Sequence, residues 1–71
     1  MTRQNIEKLS DKARAYCEFR QKEIRKYRKY KQDLYRAEET RMLRGYLQCL
    51  ADTGALTFKE MQNLYLFYAT M

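Results

Sequence analysis

A chain of 71 residues carries a net charge of +6 and contains no proline, tryptophan or histidine. A domain of this size buries only about 60% of the surface its unfolded chain exposes, so it depends on tight helix packing or on a second copy. Without histidine, and with Cys17 and Cys49 standing singly instead of as C-x-x-C, a tetrahedral zinc site is excluded, and no metal or cofactor is expected.

The residues that dominate the composition, Leu, Ala, Glu, Lys, Arg, Gln and Met, are helix formers, and the expected fold is all-α, a single helical domain over 1–71. The first twenty residues are polar and charged, and the longest uncharged run, 61–71, is about half of what a membrane span needs. The expected setting is therefore cytoplasmic and away from membranes, with both thiols reduced. The charge is concentrated: residues 20–36 hold eight basic and two acidic side chains, and the rest of the chain holds seven of each. All the excess charge sits in one segment, which creates a local field for anions.

The first predicted helix spans about 3–31, with Asn5 or Ser10 as its cap. At about 100° per residue, Leu9, Ala13, Tyr16, Ile24, Tyr27 and Leu34 fall on one side, flanked by Ile6 and Phe19. Arg20, Glu23 and Lys31 interrupt that stripe, so it is no coiled-coil seam. Beyond residue 34 the apolar side moves by roughly 100°, to Tyr35, Met42, Leu43, Tyr46 and Leu50. A break near Lys31–Asp33, with Asp33 as N-cap, accounts for the shift; the absence of Gly or Pro there is the argument for continuity. The second helix then covers about 33–51, in a hairpin or kinked arrangement with the first. A hairpin turning at residue 33 sets Tyr16 against Leu50, Phe19 against Leu47, Ile24 against Met42, and Cys17 against Cys49.

In "ADTGALTFKE", Gly54 stands where a helix ending near Ala51 or Asp52 needs a left-handed residue. Thr57 and Glu60 have the spacing of a capping box and start a short apolar helix over 57–70. Phe58, Met61, Leu64, Tyr65 and Tyr68 form one face of it, and no charged side chain follows Glu60. A helix apolar on most sides is buried in its own bundle or in a partner.

Two functional expectations follow. In the first, Lys22, Arg25, Lys26, Arg28, Lys29 and Arg36 contact phosphates of DNA or RNA, largely independently of sequence, as in a small accessory or regulatory factor. Tyr27 and Tyr30 are positioned to add stacking on unpaired bases. The competing explanation of the same residues is a solvated helix face. In the second expectation, the ridge of Phe58, Met61, Tyr65 and Tyr68 forms a homodimer or docks in a groove of another protein.

Other readings lack their chemistry. The stretch from Gly54 to Glu60 has the outline of half an EF-hand loop, but the first and third ligand positions are Cys49 and Ala51, which give calcium no carboxylate. A helix-turn-helix across Gly54 leaves Lys59, Gln62 and Asn63 as readers on an otherwise apolar helix, without the basic residues that anchor such a helix to phosphates. Leu34-Tyr35-Arg36 resembles the tripeptide of the LYR family over three residues only, in mid-chain instead of near the N-terminus, and assigns nothing. The lone Ser10 has no histidine to activate it, and Glu38 and Glu39 diverge on a helix between Arg36 and Arg41. No enzyme is expected.

Overall fold

The helix expected over 3–31 is two helices in the computed structural model, which describes residues 2–71: α1, Thr2–Glu7, and α2, Asp11–Lys29. Ser10 divides them. Its backbone is extended, its hydroxyl oxygen accepts a hydrogen bond from the Ala13 amide at 3.1 Å, and Asp11 places a negative charge in the first turn. Asn5, the other cap candidate, lies inside α1 and is buried.

The break expected near Lys31–Asp33 is present, and it is made without glycine. Lys31 takes a left-handed conformation, φ 58°; the Gln32 amide donates to the Tyr27 carbonyl at 2.9 Å, and the Lys31 amide to that of Arg28 at 3.2 Å. This pair of bonds is a Schellman motif, which satisfies carbonyls the helix end would leave open. α3 then runs Asp33–Asp52. Its N-cap is Gln32 instead of Asp33, with no side-chain capping bond.

The next turn uses the same device with the residue suited to it. Gly54 has φ 85°, the Ala55 amide donates to the Leu50 carbonyl at 2.9 Å, and the Gly54 amide to that of Ala51 at 3.1 Å. α4, Phe58–Thr70, begins behind the expected capping box. The Glu60 amide donates to the Thr57 hydroxyl at 3.1 Å, and the Thr57 amide to the Glu60 carboxylate at 2.8 Å.

The fold is all-α, with no strand among the described residues. α2 and α3 pair as an antiparallel hairpin; at 19 and 20 residues they span about 30 Å and set the long axis of a 35 × 20 × 20 Å body. α4 lies antiparallel to α3 and alongside α2, and α1 packs against α4. Lys8 forms an ion pair with Glu60 that ties the α1–α2 link to the start of α4. That contact, and then the Thr57 amide, hold the Glu60 carboxyl below its ordinary pKa. The core is drawn from every part of the chain: Leu9, Ala13, Cys17 and Ile24, then Leu43 and Leu47, then Leu56, Met61, Leu64 and Tyr68.

The hairpin register differs from the expected one. Tyr16 stacks on Tyr46 with ring centroids 4.2 Å apart, and Tyr27 on Tyr35 at 5.4 Å, so both pairs are centred on residue 31 and not 33. That slides α3 about one turn along α2. Leu43 and Leu47 enter the core, while Phe19, Leu34 and Met42 are exposed. Cys17 is fully buried and Cys49 exposed, so the two thiols do not face each other. Among the described residues no helix is long and apolar enough to cross a membrane, and no cluster of His, Cys, Asp or Glu is arranged to hold a metal.

Candidate nucleic-acid interface

The basic residues of 20–36 divide by what they touch. α2 turns its Ala13, Cys17 and Ile24 side inward, and residues about 180° away, at Lys22, Lys26 and Lys29, point to solvent. Between the two sides lie Arg25 and Arg28, and both reach across to α4. Arg28 donates to the carbonyls of Ala69 at 2.6 Å and Thr70 at 3.4 Å, and Arg25 donates to the Met71 carbonyl at 2.7 Å. These carbonyls have no partner within α4 itself, and they form the negative end of its dipole, where a guanidinium is favoured. Two of the six expected phosphate contacts thus hold the fold.

Arg36 lies 3.7 Å from Asp33, one turn earlier, and is half-buried. Arg20 is half-buried as well. It bonds the Glu39 carboxylate at 2.6 Å and covers the Tyr16 ring at 5.1 Å, joining α2 to α3. The bonds from Glu39, then Tyr16, raise its pKa further above an already high value, so it is a permanent cation spent on the hairpin seam.

The lysines remain. Lys26 pairs with Glu23 at 2.7 Å and sits 4.7 Å above the Tyr27 ring; the Glu23 contact raises its pKa. Lys29 stands 5.8 Å from the Tyr30 ring. Among the described residues, Lys22, Lys29 and Lys31 have no acidic partner. A shallow groove along the outer side of α2 is lined by Ala15, Glu18, Phe19, Gln21, Lys22 and Arg25.

Aromatic side chains accompany these cations. Tyr35 and the apolar, non-aromatic Met42 are seven residues apart on α3, and Phe19 on α2 stands eleven residues before Tyr30, the C-cap of that helix, so each pair shares a side. All four are exposed. The inner stack, Tyr16 on Tyr46, is half-buried and closed by Arg20. The outer one, Tyr27 on Tyr35, is open at Tyr35. Periodicity puts Tyr27 and Tyr35 on apolar sides and Lys31 at the break, and marks neither Tyr35 nor Lys31 as a contact to nucleic acid. The available signal was Asp33 directly before Leu34 and Tyr35, since residues in the first turn of a helix after a tight reversal have few neighbours to cover them.

The expected α4 ridge does not project as a unit. Met61 and Tyr68 are in the core, Tyr65 is half-buried beneath Arg44, and Phe58 alone is exposed, at 62%. Burial pushes the Tyr68 phenol up to about 12. The exposed side of α4 offers instead Phe58, Gln62 and Leu66, which line a groove with Arg44 and Tyr65. No known protein family, curated protein or solved structure matches this chain.

Proposed function

We propose that the protein is a non-enzymatic binding protein that holds nucleic-acid phosphates with Lys22, Lys26 and Lys29, largely without regard to sequence, as a small accessory or regulatory factor. The observation that carries this reading is the division of labour among the cations. Arg25 and Arg28 are engaged with the end of α4 and Arg20 with Glu39, while Lys22 and Lys29 point outward with no acidic partner. Cations with no task in the fold, aligned along one helix face, are suited to displacing counterions from a phosphate backbone. Arg25 and Arg28 then contribute field more than contacts.

The test is fluorescence anisotropy of labelled DNA and RNA titrated with the protein at several salt concentrations. The reading requires tight binding at low salt, with log K falling linearly against log[salt]. No binding at about 50 mM salt rejects it, since electrostatic binding is strongest there.

A second reading rests on Phe58 and Leu66, exposed beside the uncharged half of α4. In it the groove of Arg44, Phe58 and Tyr65 takes a second copy or another protein. Light scattering across a concentration series gives a dimer if the second copy is the occupant, and a constant monomer mass if it is not.

A further inference from the structure

Resting on the phosphate-binding reading, we infer that the tip of the α2–α3 hairpin is a site for unpaired nucleic-acid strands, with Tyr30 and Tyr35 stacking on bases and Lys26, Lys29 and Lys31 contacting the flanking phosphates. Tyr30 is 62% exposed and Tyr35 57%, in a protein with enough core volume elsewhere to bury Tyr68 almost completely. Tyr35 is not loose. One face of its ring rests on Tyr27 at 5.4 Å with 29° between the planes, which leaves the other face as a pre-set shelf. Tyr30 has Lys29 beside its ring and is the C-cap of α2, so its backbone is fixed by the bonds that end the helix.

Cations surround these rings: Lys26 over Tyr27, Lys29 by Tyr30, and Lys31 next in the chain. Lys31 occupies a left-handed position where glycine is the unstrained choice. That conformation places a third lysine at the turn itself. A basic surface with accessible aromatic rings matches what a single strand displays, phosphates and free base faces; a duplex hides its base faces in the stack. The charge complementarity selects a polyanion, and the exposed rings select one whose bases are free.

The experiment compares a labelled 15-nucleotide oligo-dT and oligo-U with a 15-base-pair duplex at one low salt concentration, using wild type, Tyr30→Ala, Tyr35→Ala and Tyr30→Phe, each with its helicity checked by circular dichroism. The single strands bind at least about tenfold more tightly than the duplex. Each alanine variant loses about fivefold to a hundredfold on single strands and changes duplex binding little, and Tyr30→Phe, which keeps the ring, behaves as wild type. Among the described residues Tyr30 stacks on no other ring, and it is the more exposed, so its alanine variant stays informative if Tyr35→Ala fails to fold. Equal affinity for strand and duplex, with neutral tyrosine variants, overturns this inference and leaves the phosphate-binding reading standing. Absence of binding to all three probes overturns both. Preference for oligo-dT or for oligo-U tells DNA from RNA as the source of the strand.

Discussion

Cys17 is a thiol held neutral by its surroundings. Burial in the core, and secondarily the negative charge of Glu18, push its pKa up from 9.0 to about 11. Since the thiolate is the reactive form, Cys17 should be inert in the folded protein and Cys49, exposed on α3, should not be. An aromatic disulfide reagent at pH 8 is expected to titrate one thiol per native chain and two in denaturant; two fast thiols in the native protein would show that Cys17 is accessible. The same shift has a stability consequence. A group whose folded pKa is raised contributes stability that is complete below its unfolded pKa and lost as pH rises through the folded one. For Cys17 that window runs from about 9 to about 11, and for Tyr68 from 10 to about 12. Urea midpoints should fall between pH 8 and 10.5, and fall less in Cys17→Ala, measured against that variant's own lower starting point. Lys31 gives a prediction of opposite sign. Its φ of 58° costs a lysine more than a glycine, so Lys31→Gly should raise stability by about 0.5–1 kcal/mol, as read from urea unfolding.

At the scale of elements, α4 is fixed at both ends by side chains from elsewhere. Glu60 near its start meets Lys8, and its last carbonyls meet Arg25 and Arg28. Replacing Arg28 by Ala removes two hydrogen bonds from a charged donor and should cost about 1–2 kcal/mol, the lower end because the site is exposed. Lys29→Ala, one residue on, should stay within about 0.5 kcal/mol of wild type. Equal costs in urea unfolding would show that the contacts of Arg28 with α4 contribute little. The legibility of each element follows from the same physics. The Gly54 turn and the Thr57–Glu60 box could be read in the sequence because the backbone there needs particular residues. The turn at Lys31 carries no such mark, and only the change of apolar side pointed to it. Ser10 reads as a cap, but no glycine or proline before it marks the end of a preceding helix. The roles of Arg25 and Arg28 were not legible at all, because they depend on where α4 ends in space, more than forty residues away.

Over the whole molecule, the hairpin register decides what is core and what is surface. Stripes drawn at helical spacing found Leu9, Ala13, Ile24, Leu43, Met61, Leu64 and Tyr68, but they also took in Leu34, which is 84% exposed, and passed over Cys17 and Leu47. Two helices of similar apolar content can pair in registers a turn apart, and the interlocking tyrosine pairs that select one are visible only once the chains are side by side. Charge was more legible than packing. Its concentration in residues 20–36 is a property of composition, and in the fold it runs from the middle of α2 through the hairpin turn into the first turn of α3. What composition could not separate is cations that hold the fold from cations left to solvent. The salt dependence of nucleic-acid binding measures that separation directly. Wild type and a Lys22→Ala/Lys26→Ala/Lys29→Ala variant would be titrated onto one labelled duplex over a salt series. The account predicts that the variant keeps its fold and that the slope of log K against log[salt] becomes shallower by about one for each lysine removed. An unchanged slope in a folded variant would contradict it, because the phosphates would then be held by something other than these three lysines.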